Sequence, residues 1–70
     1  MKYYNFSNSQ IDAAINEWIH NKRNREILHD RYIDGLTFEK IAEKHGLSTQ
    51  HIKSIVYHGQ SVIFSHLDPR

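Results

Sequence analysis

Thr37-Phe38-Glu39-Lys40-Ile41-Ala42-Glu43-Lys44-His45-Gly46-Leu47-Ser48-Thr49-Gln50-His51-Ile52-Lys53-Ser54-Ile55 is the stretch whose reading decides the fold. Thr37 is a good N-cap, and Glu39 sits in the first turn, where the helix dipole favours a negative charge. A short helix therefore spans 38–45 and buries Phe38, Ile41 and Ala42. Gly46 ends it, because glycine adopts a left-handed φ without steric penalty. Leu47 points inward, and Ser48 caps the next helix. Two helices that cross over a three- to four-residue turn need a small residue at the crossing, a glycine in the turn and apolar residues facing back. Ala42, Gly46, Leu47, Ile52 and Ile55 supply these in register, which predicts a helix-turn-helix over residues 37–57. An ordinary helical hairpin, packed for its own sake, is the bland alternative.

Outward from that unit, the remaining chain also reads as helix. Phe6-Ser7-Asn8-Ser9-Gln10-Ile11 carries a capping box between Ser7 and Gln10, with Phe6 and Ile11 placed as a hydrophobic staple. Ile11, Ala14, Ile15, Trp18 and Ile19 then follow the helical period. This predicts a first helix over about 8–20, with Trp18 on its core face. Ile27 falls on the opposite face from Trp18, so the polar run Asn21–Arg25 reads as a break. A second helix over about 23–34 carries Ile27, Leu28, Tyr32 and Ile33 inward and stops at Asp34-Gly35. The last helix, about 49–66, has its apolar stripe at Ile52, Ile55, Val56, Gly59, Val62, Ile63 and Leu67. Gly59 is in phase with the stripe, as a close-packing point requires; a break there, with a separate helix from Gln60, is the rival reading. Tyr3, Tyr4 and Phe6 are expected to cover this helix, and Asp68-Pro69-Arg70 to fray. No period-two strand pattern is present. The fold class is all-α: a small three- to four-helix domain, without winged elements, over residues 1–70.

Composition narrows the function. The chain has 70 residues, 39% apolar and 24% charged, with a net charge of +1 and no cysteine. The apolar fraction is too high and the net charge too small for a disordered chain. No segment reaches the ~18 apolar residues of a membrane span, and Met1–Asn8 has no apolar signal region. Packing alone must hold the domain, and a core this small hardly encloses a ligand pocket of ~300 Å³. These features disfavour an enzyme and a bound cofactor, and favour a cytoplasmic binding module.

Charge placement names the partner. No acidic residue occurs from Lys44 to Leu67, a stretch that also holds Lys53 and four of the six histidines. Acids gather instead at Glu26, Asp30, Asp34, Glu39 and Glu43. A helix without carboxylates suits a phosphate-lined partner. Opposite its apolar stripe lie Gln50, Lys53, Ser54 and Tyr57, with Thr49 beside them. Gln pairs bidentately with adenine and Lys donates to guanine, so the residues of this face are candidate base contacts on double-stranded DNA. Thr37, Lys40, Lys44, Ser48 and Tyr57 are the candidate phosphate contacts.

The residues also resemble a known family. Asn24-Arg25-Glu26-Ile27-Leu28-His29-Asp30-Arg31-Tyr32, then Asp34-Gly35-Leu36-Thr37-Phe38-Glu39-Lys40-Ile41-Ala42, then Gly46-Leu47-Ser48, is similar to the fourth conserved region of primary-type bacterial sigma factors. The resemblance covers roughly 24–58. It implies a three- or four-helix domain that reads an upstream promoter element in the major groove, with Thr49, Gln50, His51, Lys53 and Ser54 at the reading positions. That family favours arginines where Thr49, Gln50 and His51 stand, so its promoter preference is not expected here. The chain lacks segments for melting DNA or gripping polymerase, and a small transcriptional regulator of bacterial or phage origin is the resulting expectation.

Other readings compete. The chain could be a protein-interaction module that docks on RNA polymerase or a phage component through Trp18, Tyr32 and the C-terminal apolar residues. Val62-Ile63-Phe64 is more apolar than one stripe needs, since Phe64 falls off phase; it either seals the core or forms half of a homodimer contact. No histidine pair has the i, i+4 spacing of a helical zinc clamp, so no metal site is expected. Ser48, His51 and Asp34 could be named as a triad, but nothing gathers or shields them.

Overall fold

A computed structural model describes residues 6–67 of the chain; Tyr3, Tyr4 and Asp68–Arg70 lie outside the described residues. Four helices follow one another: α1 (Asn8–Trp18), α2 (Lys22–Tyr32), α3 (Phe38–His45) and α4 (Thr49–Ser65). No strand occurs among the described residues, as the periodicity predicts. No helix among them is long and apolar enough to cross a membrane.

The helix starts are set by local chemistry. Ser7 Oγ accepts from the Gln10 amide at 3.2 Å, and Gln10 Oε1 accepts from the Ser7 amide at 2.9 Å, completing the capping box. Asn21, Thr37 and Ser48 cap α2, α3 and α4 in the same manner through the amide three residues on. Thus α3 has the predicted limits, and α4 ends one residue before its predicted end. The second helix starts at Lys22 because Asn21 is its cap, and stops at Tyr32 because Gly35 turns left-handed, with φ 71°.

The first helix ends at Trp18, two residues short of the predicted limit. Ile19 leaves the helix with an extended backbone (φ −105°, ψ 108°) and is buried in the core. Arg25 donates to the Ile19 and His20 carbonyls at 3.0 and 3.1 Å, fixing the chain just past the helix end. Trp18 is consequently not a core residue. It is 38% exposed and stacks on His66, with ring centroids 3.7 Å apart and planes 5° from parallel.

Ile15, Ile27, Leu28, Ile41, Ile52 and Ile63 are fully buried and draw all four helices onto one centre. Phe64, off phase in the sequence, is half-buried against Phe6 and Tyr32, with centroids 6.0 and 5.6 Å away. Gly59 lies inside an unbroken α4. A Cβ there would stand 2.5 Å from Leu28 Cδ1 and 2.8 Å from Cδ2, so the glycine is the point where α4 meets α2. Leu28 is fully buried and has little room to turn away.

Overpacking of this kind costs about 1–3 kcal/mol, against about 1 kcal/mol of helix propensity regained. Gly59→Ala is therefore expected to lower the unfolding free energy in denaturant. In a Leu28→Ala background the same change should cost nothing or stabilise, and equal losses in both backgrounds would show that the contact is not responsible.

Candidate nucleic-acid interface

The turn between α3 and α4 closes on one atom. Gly46 is left-handed, with φ 68° and ψ 33°, and the amides of Gly46 and Leu47 both point to the Ala42 carbonyl. Ser48 Oγ then accepts from the His51 amide at 3.1 Å. The amides of Thr49 and Gln50 remain without a partner inside the helix, because an α-helix leaves its first donors unpaired. Ile52, Val56, Gly59 and Ile63 face the core, which turns the other side of α4 outward.

On that outward side Gln50, His51, Lys53, Ser54 and Tyr57 are exposed, while Thr49 is half-buried at the helix start. Thr37, Lys40 and Ser48 are exposed as well. Thr37 and Ser48 each use a hydroxyl lone pair to cap their own helix, leaving the hydroxyl hydrogen free to donate. Phe38, expected in the core, is only half-buried and serves as a platform. The Arg31 guanidinium lies 4.2 Å from its ring centre, Lys53 Nζ lies 5.8 Å from it, and Tyr57 meets it edge-on at 6.0 Å. Lys53 and Tyr57 are thereby brought together with Arg31, a residue the sequence pattern did not single out.

Three other residues escaped the sequence reading. Arg23 and Asn24, at the start of α2, line a surface groove of about 310 Å³ with His51, Ser54 and His58. The signal was present in the basic run Lys22–Arg25, which reads most simply as a break between helices. Asp30 is the larger surprise. Grouped by sequence with the outer acids, it is 3% exposed, and its carboxylate is clamped by α3. Lys44 Nζ donates to Oδ1 at 2.8 Å, and His45 Nε2 stands 2.9 Å from Oδ2. Its spacing of three residues from Ile27 was the available clue, since i and i+3 share a helix face.

Lys44 is thus tied to Asp30 even though about half its side chain is exposed. The hydrogen bond to Asp30 raises the Lys44 ammonium above the ordinary lysine value, with the charges of Asp30, Asp34 and Glu26 adding to it. For Asp30, burial alone pushes the carboxyl upward. The hydrogen bonds from Lys44 and His45, together with the field of those two bases, outweigh burial and hold it below its ordinary 3.8. His29, Asp30 and Asp34 bring possible metal-ligand atoms within 4.8 Å of one another. Both oxygens of Asp30 already face cationic or donor groups of the chain itself, and His29 lies 3.6 Å from oxygens of Asp12 and Asp34. The cluster reads as a network of polar contacts between α1, α2 and α3.

A tight left-handed turn between two helices, the second presenting an exposed face without carboxylates, has the geometry of a helix-turn-helix. The family model for sigma-70, region 4 matches residues 21–59, more than half of the 70, and the chain belongs to that family. Among curated proteins and among solved structures, none matches. The matched segment runs from the cap of α2 to Gly59, and so contains the whole turn and the exposed half of α4.

Because Asp30 binds its proton more weakly folded than unfolded, its contribution to stability is complete above the ordinary carboxylate range. That contribution disappears as pH falls through the lowered folded value. Thermal unfolding between about pH 5 and pH 2 should therefore fall less steeply for Asp30→Asn than for the parent. At neutral pH the variant should be less stable by about 1.5–3 kcal/mol, the worth of a hydrogen bond to a charged group. Identical acid limbs in the two proteins would refute the role of the pair.

Proposed function

We propose that α4 enters the major groove of double-stranded DNA and reads base edges there, and that the protein is a small transcriptional regulator of bacterial or phage origin. DNA binding is the property of the family to which the chain belongs. The observation that carries the rest is the exposed face of α4, where Gln50, His51, Lys53 and Ser54 stand together with no acidic residue from Lys44 to Leu67.

In this reading Gln50 pairs bidentately with adenine, Lys53 donates to guanine, and Thr49, His51 and Ser54 contact neighbouring edges. Thr37, Lys40, Lys44, Ser48 and Tyr57 hold phosphates on either side, and the unpaired amides at the start of α4 aid Ser48. The Phe38 platform supports the arrangement by keeping Lys53 and Tyr57 on one side of the helix. Lys44 reaches a phosphate only by sharing its ammonium hydrogens with Asp30, so it is the weakest member of the set.

A second contact, with RNA polymerase, is favoured by one observation. The Trp18–His66 stack leaves a large aromatic surface exposed at the C-terminal end of α4, away from the reading end. A protein partner could engage that surface while α4 occupies DNA.

Titration of random duplex with salt tests the phosphate contacts: affinity should fall linearly in log salt. Lys53→Ala should weaken binding. Gln50→Ala should alter preference by about 1–3 kcal/mol at one base pair. If both variants bind every duplex as the parent does, α4 is not the reader. Amide shifts confined to Thr37 and Ser48–Tyr57 in an NMR titration with mixed-sequence duplex are the further expected result, and shifts confined to Trp18 and Val62–Leu67 would move the contact away from α4.

A further inference from the structure

We propose that Asp30 is a positioning residue for the reading helix: gripping the last turn of α3, it sets the angle at which α4 leaves the rest of the domain. The proposal rests on the DNA-reading role above and adds a determinant of sequence discrimination that touches no DNA.

Asp30 belongs to α2, yet its side chain holds the finish of the helix that follows, and its carbonyl closes the turn that leads into that helix. Its backbone carbonyl accepts from the Leu36 amide at 3.0 Å, one residue before the Thr37 cap. Its side chain takes Lys44 and His45, the last two residues of α3, one on each oxygen. A residue that is 3% exposed has no surface to offer a duplex, so any effect on DNA passes through the helices it holds.

The hinge itself needs such a hold. Gly46 is the only link between His45 and Leu47, and a Cβ built on it would meet nothing within 4 Å. The turn is therefore not wedged by packing at that point; Gly59 against Leu28 holds the middle of α4, and the lie of its first turns depends on where the end of α3 is fixed. Two directional bonds to two oxygens of one carboxylate have a single good register. Apolar side chains of similar volume carry no such directional requirement. Replacing a buried ion pair by such side chains is often neutral or stabilising, so folding alone does not require a carboxylate here.

The test compares the parent with the double variant Asp30→Leu/His45→Leu, using a duplex selected by the parent from a random-sequence library and a scrambled control. The variant should keep its helix content and a thermal midpoint at or above that of the parent. Its discrimination between the two duplexes should drop about tenfold, the equivalent of one misaligned bidentate base contact. Lys44, freed from Asp30, can only add to phosphate attraction, so such a drop is not a loss of positive charge. Residual dipolar couplings on the free proteins should show α4 reoriented against α2 in the variant. Unchanged couplings or unchanged discrimination would overturn the proposal. If the parent itself selects no duplex, the DNA-reading role fails, while the couplings still decide whether Asp30 sets the angle. Should the double variant not fold, Asp30→Asn, which cannot accept from both donors as a carboxylate does, is measured by the same two readouts.

Discussion

Two amides, those of Gly46 and Leu47, converge on the Ala42 carbonyl, and the direction of the longest helix depends on that closure. Only a left-handed residue allows the chain to leave α3 this way, and glycine takes that conformation without a Cβ penalty. Once the turn is made, Leu47 is drawn against the core and Ser48 starts α4 at once. The stripe Ile52, Val56, Gly59 and Ile63 then has one place to go, beneath α1 and α2. Everything on the other side of α4 is left to solvent and to whatever partner meets it there.

The core that receives the stripe is small, and two devices compensate. Gly59 lets α4 approach α2 until Leu28 fills the space a side chain would take. Asp30 places a charge where an apolar contact would be expected, neutralised by Lys44 on one oxygen and hydrogen-bonded by His45 on the other. Breaking such a pair from one side leaves a buried group uncompensated, which is far more costly than the pair itself is beneficial. The arrangement therefore ties α3 to α2 firmly without adding much to overall stability.

The end residues of helices were the most legible part of the chain. Ser7, Thr37 and Ser48 cap where the pattern places them, because a cap involves only a hydroxyl and an amide three residues away. Gly59 was legible too, since its phase with Ile52, Val56 and Ile63 is a property of one helix. The misreadings share a different character. Trp18 fits the periodic stripe of α1 but lies in its final turn, where the chain turns and Ile19 takes the inward position. Asp30 looks like a surface acid until its partners, fourteen and fifteen residues further on, are seen beside it. Arg31 and Arg23 reach the neighbourhood of α4 only because α2 is laid against it.

From the amino-acid order alone came the all-α class, the caps, the left-handed turn at Gly46, the acid-free helix that follows it and the resemblance to the sigma-70 region 4 family. These rest on spacing, on φ preference and on charge along a single helix, all of which act over a few residues. The tertiary structure alone decided that Trp18 stays at the surface, that Phe38 carries Arg31 and Lys53, and that Asp30 is buried between Lys44 and His45. Each of those outcomes depends on which helix lies across from the residue in question, and no pattern confined to one segment contains that distance.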